Sequence, residues 1–297
     1  MNRRRPRLAA SAVFAIVPGV CTASVLDPVG PVGIAERTIL LDSLAIMLAI
    51  VVPTIVATLA FAYWYRASNS RARYMGEWAY SGRLELIVWA IPALVVLFLG
   101  GIAWLSSHRL DPAQPLDSPN RPLEIQVVSL DWRWLFIYPE QNVASINELV
   151  VPVGVPLHLR ITSATVMNVF FVPRLGSEIY CMNGMVTQLN LQADRAGTYP
   201  GLSANFSGDG FSGMHFEVRA GTAQEFADWV AAARRANASL DDAAYGQLRR
   251  QSEDARIYAY RQVRSGLFED IASGKLPPGE GPQTGSPAAQ VSPREGQ

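Results

Sequence analysis

Two long apolar segments near the start of the chain constrain its fold more than any other feature. Residues 43–65 read SLAIMLAIVVPTIVATLAFAYWY, and residues 86–105 read LIVWAIPALVVLFLGGIAWL. Neither segment contains a charged residue, and each is close to the ~20 residues that a helix needs to cross a bilayer. Both end in aromatic residues typical of the membrane interface, and their internal prolines, Pro53 and Pro92, are tolerated in membrane helices. The sequence therefore predicts two transmembrane helices.

The composition agrees with a membrane location and argues against a nucleic-acid partner. Only 17% of the residues are charged, against about 25% in an ordinary soluble domain. The 25 Lys and Arg residues balance the 25 Asp and Glu residues. Because a nucleic-acid partner requires a basic surface, we expect none.

The connection between the two spans predicts their orientation. It carries Arg66, Arg71, Arg73 and Arg83 against a single acid, Glu77, whereas the flanks on the other side are nearly balanced in charge. By the positive-inside rule this connection lies in the cytoplasm, and the chain after the second span lies outside.

The first 23 residues are typical of a secretory signal peptide. Several arginines precede a short apolar stretch and then small residues, and the apolar stretch is too short to span a membrane. Two processing sites are compatible with this pattern. Cys21 is the lipid-bearing first residue if the chain is a lipoprotein, whereas a general signal peptidase would cut after Ala23.

From residue 123 the sequence takes on the period of two that is typical of strands. The segments LEIQV at 123–127, PLHLRIT at 156–162 and MHFEV at 214–218 alternate between apolar and polar residues, with turn signals between them. Several short strands without a long helix predict a small β-sandwich or barrel over residues 123–220.

Beyond residue 220 the pattern becomes helical. Thr222, followed three residues later by Glu225, predicts a capping box, and Phe226, Trp229 and Val230 form an apolar stripe. We expect a helical, aromatic-bearing extension over residues 221–275. Residues 276–297 are rich in Pro, Gly and Ser, which predicts a disordered tail.

Four segments carry motifs that point to one family. They are ELIVWAIPAL at 85–94, DWRWLFIYPE at 131–140, VMNVFFVPRLG at 166–176 and GTYPGLSANFSGDGFSGM at 197–214. In this order they resemble the second-span signature, the aromatic segment and the two metal-binding loops of subunit II of the haem–copper oxidases. The resemblance covers about residues 26–275. It implies a two-helix transmembrane hairpin over residues 24–105, an all-β, cupredoxin-like (Greek-key) outer domain and a C-terminal helical extension.

In the cytochrome c oxidase branch of that family, the outer domain holds a dinuclear copper centre. Its ligands are a His in the first loop and a Cys-x3-Cys-x3-His-x2-Met cluster, with a Glu between the cysteines, in the second. The corresponding positions here are Asn168, Ser203, Asn205, Ser207, Phe211 and Met214. Only the methionine is retained, and neutral hydroxyls cannot replace bridging thiolates. We therefore predict no metal site and no cofactor in this chain.

The loss of these ligands separates two functions within the family. A subunit II with copper accepts electrons from a cytochrome c, whereas in the bo-type ubiquinol oxidase branch quinol delivers electrons directly to subunit I. The motifs YRASN at 65–69, RLGSEIY at 174–180 and GDGFSGM at 208–214 also resemble that second branch. The resemblance implies a non-catalytic subunit of a proton-pumping complex that oxidises ubiquinol and reduces oxygen to water.

The resemblance also implies partners and a location. Haems and catalytic copper reside in the partner subunit I, and further small membrane subunits complete the complex. The chain would lie in the bacterial inner membrane, with the processed N-terminus and the outer domain on the periplasmic side. Members of this branch are typically lipoproteins, which favours processing at Cys21.

Two residue groups have competing interpretations. Glu85, at the cytoplasmic edge of the second span, either reaches the lipid headgroups or, as the resemblance implies, lies at the entrance of a proton-uptake path into subunit I. Trp132, Trp134, Phe136 and Tyr138 alternate in sequence and are predicted to share one face of a strand. Without a copper acceptor, we expect these aromatic residues to serve packing.

Two other functions stay open as alternatives. One is a cytochrome c oxidase subunit with its own copper, which the lost ligands disfavour. The other is a free-standing, membrane-anchored domain that serves binding or assembly. No nucleophile–base pair or phosphate-binding loop is apparent in the sequence, so we expect no catalysis by this chain alone.

Overall fold

The computed structural model describes residues 25–73, 75–252 and 256–279. The predicted signal peptide with Cys21, and most of the tail predicted to be disordered, lie outside these residues. Two long helices open the described chain, α1 over Pro31–Trp64 and α2 over Gly82–Arg109. The most apolar 18-residue stretch of each is free of burial within the chain, and both are long enough to cross a membrane. They form the predicted transmembrane hairpin.

Both helices are longer than the apolar segments that predicted them. Helix α1 begins at Pro31, a residue suited to the first helical position because its missing N–H would have no helical acceptor there. Large apolar side chains point outward along both helices, as illustrated by Leu59 and by Trp89, which is 76% exposed. A membrane or a partner subunit must cover this surface.

The outer domain is a sandwich of two β-sheets, as the alternating segments predict. The first sheet has the strand order β11-β3-β2-β1-β5-β8, and the second has the order β4-β10-β9-β6-β7. Strands β1 and β5 are parallel, as are β4 and β10, and the other pairs are antiparallel. The strands are β1 Leu123–Ser129, β2 Trp134–Tyr138, β3 Val143–Ile146, β4 Glu148–Pro152, β5 Leu157–Ser163, β6 Asn168–Phe171, β7 Ile179–Cys181, β8 Thr187–Leu191, β9 Gly197–Ser203, β10 His215–Gly221 and β11 Tyr258–Tyr260.

Aromatic side chains fill the space between the two sheets. Trp134 and Phe136 of β2 face Phe170 of β6 and Phe216 of β10, and four pairs among these rings have centroids 5.0–5.5 Å apart. The predicted packing role is therefore found for β2. Trp132 does not share that strand, because it precedes β2 with a φ of 64° and its ring turns toward another part of the domain.

The C-terminal extension contacts two parts of the sandwich: its first helix packs on β4 and on the core between the sheets, and its later helices cover the outer face of the first sheet. It contains helices α3 Ala223–Ala233, α4 Asp242–Leu248 and α5 Leu267–Ala272, and the predicted capping box of Thr222 and Glu225 is present. The sequence did not predict its strand β11, which adds an edge to the first sheet beside β3. The extension and the sheet enclose a second hydrophobic core that includes Leu130, Leu135, Tyr245, Phe268 and Ile271.

The segment that leads into α1 is bound to the outer domain. The backbone N–H of Val29 donates to the carbonyl of Arg174 at 2.7 Å, and the N–H of Gly33 donates to the carbonyl of Leu175 at 3.1 Å. The Arg174 guanidinium also pairs with the Asp27 carboxylate. These contacts join the first turn of the transmembrane hairpin directly to the loop between β6 and β7.

Close backbone approach at this junction requires glycine. A Cβ added at Gly30 would lie 2.0 Å from the carbonyl oxygen of Gln192, which no side chain can tolerate without moving the backbone. The side chain of Val32 is buried against the domain beside Gly176. The junction is therefore a packed contact and not a loose linker.

Tyr138 provides a test of how the two sheets are held together. Its buried hydroxyl donates to the Val150 carbonyl at 3.1 Å and accepts from the Val150 N–H at 2.8 Å. We expect Tyr138→Phe to lower the free energy of unfolding by about 1–3 kcal/mol, because both backbone groups lose their partner. Thermal unfolding of the purified protein, followed by near-ultraviolet circular dichroism, measures this change.

The matched control is Tyr180→Phe, since that ring is half-exposed at the end of the second sheet. Its effect should stay within about 0.5 kcal/mol, as for most surface substitutions. Equal loss of stability in both variants would contradict the proposed role of the Tyr138 hydroxyl.

Candidate functional site

The six positions that resemble copper ligands come together at one end of the sandwich. Asn168 begins β6, and Ser203 ends the neighbouring strand β9. The loop that follows contains a short 3-10 turn, Asp209–Gly213, and closes where the N–H of Ser203 donates to the carbonyl of Met214 at 3.2 Å. The backbone thus brings the predicted positions into one region although they are distant in sequence.

Two of the positions satisfy each other by a hydrogen bond. The Ser203 hydroxyl donates to Oδ1 of Asn168 at 3.0 Å, and Nδ2 of Asn168 lies 3.4 Å from the Val166 carbonyl. Both side chains are buried, Asn168 completely. A buried polar group without a partner costs about 1–3 kcal/mol. The hydrogen bond avoids this cost for both side chains and so stabilises this part of the interior.

Ser207 and Met214 form a second buried pair. The Ser207 hydroxyl lies 3.9 Å from the Met214 sulfur, and both residues are almost inaccessible to solvent. The indole of Trp132 donates to the Ser207 carbonyl at 3.0 Å. Its ring packs on Gly210, where an added Cβ would lie only 2.3 Å away. Trp132 therefore holds the loop between β9 and β10 in place through Ser207 and Gly210.

The two remaining positions are turned toward the surface. The Asn205 amide donates to the Met167 carbonyl at 3.1 Å and so joins the two loops. The Phe211 ring is half-buried and meets Phe206 edge to face, with ring centroids 5.6 Å apart. Phe206 itself is 73% exposed. These rings form an apolar cap over the loop.

The donor atoms gathered here do not fit a dinuclear copper centre. They belong to two hydroxyls, two amides and one thioether, and Phe211 supplies no donor. Such a centre needs soft bridging thiolates, which a neutral hydroxyl cannot imitate. Across residues 25–73, 75–252 and 256–279, no group of three or more His, Cys, Asp or Glu side chains is placed to hold a metal ion.

Cys181 lies beside the site but cannot supply the missing thiolate. It lies opposite Asn168 in the antiparallel register of β6 and β7, and its side chain is fully buried. Burial raises the pKa of its thiol to about 12, so the sulfur stays protonated and neutral near pH 7.

Glu85 lies far from this cluster, in the first turn of α2. Its side chain is exposed, and its N–H donates to the Ser81 carbonyl at 3.0 Å. A carboxylate in the first turn favours helix formation through the helix dipole, by about 0.3–1 kcal/mol at an exposed position. This structural role exists whether or not the carboxylate also carries protons.

The supporting role of Trp132 was not predicted from the sequence. The residue lies 78 positions before Gly210, and no local pattern links an indole to a glycine over that distance. The Asn168–Ser203 hydrogen bond was not predicted either. The available signal was that polar residues of similar size stand at two positions where the family has ligands.

Comparison with known proteins shows which proteins this chain is similar to. The model of the family described as "Cytochrome C oxidase subunit II, periplasmic domain" matches residues 139–220. The chain is 48% identical over 257 residues to cytochrome bo(3) ubiquinol oxidase subunit 2 of Pseudomonas aeruginosa, covering 86% of this chain and 78% of that protein. It is 42% identical over 277 residues to the Pseudomonas putida protein of the same name, covering 91% and 87%. It is 46% identical over 255 residues to ubiquinol oxidase subunit 2 of Acetobacter aceti, covering 85% and 83%.

Restoring the ligands should restore copper binding if the loop keeps the required backbone. We expect the combined variant Asn168→His, Ser203→Cys, Asn205→Glu, Ser207→Cys and Phe211→His to bind copper and to develop visible thiolate-to-copper absorption. The matched control keeps both serines and changes only the other three positions, so it lacks bridging thiolates. Metal analysis and absorption spectra of both variants check the prediction. A folded five-residue variant that retains no more copper than the control would contradict it.

Proposed function

The chain belongs to the family of cytochrome bo(3) ubiquinol oxidase subunit 2, and we propose that its outer domain serves that complex as a scaffold and not as an electron carrier. The family makes it a subunit of an oxidoreductase complex in the membrane, in partnership with subunit I. Relatives of this kind belong to the haem–copper oxidases, whose cofactors lie in subunit I.

The observation that carries this proposal is the closed polar cluster at the former ligand positions. Asn168 pairs with Ser203, and Ser207 contacts Met214, so these side chains are turned to one another. Serines occupy positions 203 and 207, so this cluster has no thiolate that could bridge two copper ions or carry an electron between them. Electrons from ubiquinol would therefore reach subunit I without passing through this domain.

The structure supports a scaffolding role through its rigid junction. Helix α1 is bound to the β6–β7 loop by backbone hydrogen bonds and by the Asp27–Arg174 ion pair. If a partner packs against the exposed apolar surface of the hairpin, this junction fixes the position of the outer domain relative to that partner. We propose that subunit I and further small membrane subunits occupy this surface.

We also propose the orientation and location of the chain. The start of α1 contacts the outer domain, whereas the arginine-bearing connection lies at the other end of the hairpin. With the connection in the cytoplasm of a bacterium, the outer domain is periplasmic and the hairpin lies in the inner membrane. Processing at Cys21, with lipid attached there, stays a prediction because this residue lies outside the described part of the chain.

Purification of the native complex through a tag on this chain tests the proposed function. We expect a haem-bearing subunit to co-purify, and the complex to reduce oxygen with ubiquinol and not with a reduced cytochrome c. Copper should be accounted for by the haem-bearing subunit. A chain that purifies alone would favour the free-standing domain, and oxidation of cytochrome c would favour the cytochrome c oxidase alternative.

Glu85 is proposed to collect protons from the cytoplasm for subunit I. Its position at the start of α2 places an exposed carboxylate at the membrane edge, next to the predicted cytoplasmic connection. A carboxylate can bind and release a proton there, which the helix-dipole role alone does not require. The role itself is inferred from the resemblance of ELIVWAIPAL to the second-span signature of the family.

Replacing the carboxylate by an amide distinguishes the two roles. We expect Glu85→Gln to slow oxygen reduction on the order of tenfold while haem content and assembly stay normal, because the amide cannot carry the proton. Glu85→Asp should recover part of the rate. The matched control is Glu77→Gln in the same exposed connection, which should leave turnover unchanged. Full activity of Glu85→Gln in an assembled complex would leave only the structural role.

A further inference from the structure

The connection between the two transmembrane helices forms a surface that fits lipid headgroups. We propose that the connecting segment, defined as residues 65–73 and 75–83, binds anionic phospholipids through its arginines. The segment joins the end of α1 to the start of α2, and both helices are long and apolar enough to cross a membrane. Its length and its two attachments therefore hold it near the headgroup layer. This inference rests on the proposed insertion of the hairpin.

The arginines of the connecting segment are available for a ligand. Arg66, Arg71, Arg73 and Arg83 are all exposed. Within the described parts of the chain, none of them has a carboxylate within ion-pairing distance. This contrasts with the outer domain, where Arg121, for example, pairs with Glu140. Among the described residues, these arginines thus have no carboxylate partner.

Arg66 is held in place by its neighbours. Its guanidinium lies 4.1 Å from the centroid of the Tyr63 ring, Nε donates to the Ser68 hydroxyl at 2.9 Å, and Nη1 donates to the Tyr63 carbonyl at 3.0 Å. A guanidinium has five N–H donors, so three are left for another acceptor. Planar donor pairs of this kind match the oxygen atoms of a phosphate. Arg66 is therefore a preorganised cation at the end of α1.

Aromatic residues of the connecting segment support a lipid partner over a protein partner. Tyr65, Trp78 and Tyr80 are more than half exposed, with Tyr80 at 68%. Rings with a polar edge are favoured at the membrane interface, and clusters of Lys or Arg beside a membrane helix attract anionic lipids. Arginine and aromatic residues also occur at protein interfaces, but a cluster of arginines without acidic partners beside two membrane helices is the pattern that attracts anionic lipids. The combination therefore favours headgroup phosphates as the ligand.

Lipid retention by the whole complex tests this proposal. The complex is purified in detergent, its bound cardiolipin and phosphatidylglycerol are quantified by mass spectrometry, and both lipids are then titrated back after delipidation. We expect Arg66→Gln, Arg71→Gln, Arg73→Gln and Arg83→Gln, each changed alone, to weaken anionic lipid binding about fivefold, and a combined variant of the last three to weaken it further. Replacement of the same residues by Lys should weaken it less, because the charge is kept. Phosphatidylethanolamine and inorganic phosphate should not compete.

The control variant removes the same charge from the outer domain, through Arg121→Gln, Arg219→Gln and Arg235→Gln, and should bind the lipids as the wild type does. Haem content and accessibility of a C-terminal tag to protease in intact cells report assembly and orientation separately. A variant of the connecting segment that assembles, keeps its orientation and binds anionic lipid with wild-type affinity would overturn the proposal. Because each arginine is also changed singly, a failure of the combined variant to insert does not prevent the measurement. Loss of the haem-bearing partner from the wild type would instead contradict the proposed function.

Discussion

The hydrogen bonds between the segment before α1 and the β6–β7 loop connect the membrane part of the molecule to the part outside it. Val29 and Gly33 donate to consecutive carbonyls, and Asp27 accepts from Arg174, so backbone and side chain act together. Because the backbone of Gly30 lies against the Gln192 carbonyl, the segment before α1 is closely packed on the outer domain. The positions of the hairpin, the former copper loops and the connecting segment all depend on this junction.

The two loops that resemble copper-binding loops keep their shape through hydrogen bonds and packing. A hydrogen bond contributes only about 0.5–1.5 kcal/mol net, which is far less than a structural metal ion contributes. Several are therefore needed, and the Asn168–Ser203 and Trp132–Ser207 contacts are supplemented by the packing of Gly210 on an indole. The apolar Phe206–Phe211 cap closes the same region from outside. Hydrogen bonds and packing together order this loop.

The parts of the fold that the sequence predicted well carry one clear signal, either uncharged length or a single solvent-facing side. The spans follow from uncharged length, and β5 and β10 follow from strict alternation, since one face of each meets water. Strand β2 is buried on both faces, so WLFIY has no period, and β11 has only three residues. The former ligand positions came from motif spacing, but the left-handed Trp132 depends on a tertiary contact that no local pattern encodes.

A further consequence concerns how such a domain matures after secretion. Its former ligand positions are filled by Asn168 and Ser203, and the one cysteine of the described chain is protonated and enclosed. The domain therefore presents no thiol pair that an oxidising compartment could convert to a disulfide. On the function proposed above, the domain can complete its fold without loading copper, and the copper supply of the complex bears on the haem-bearing partner alone.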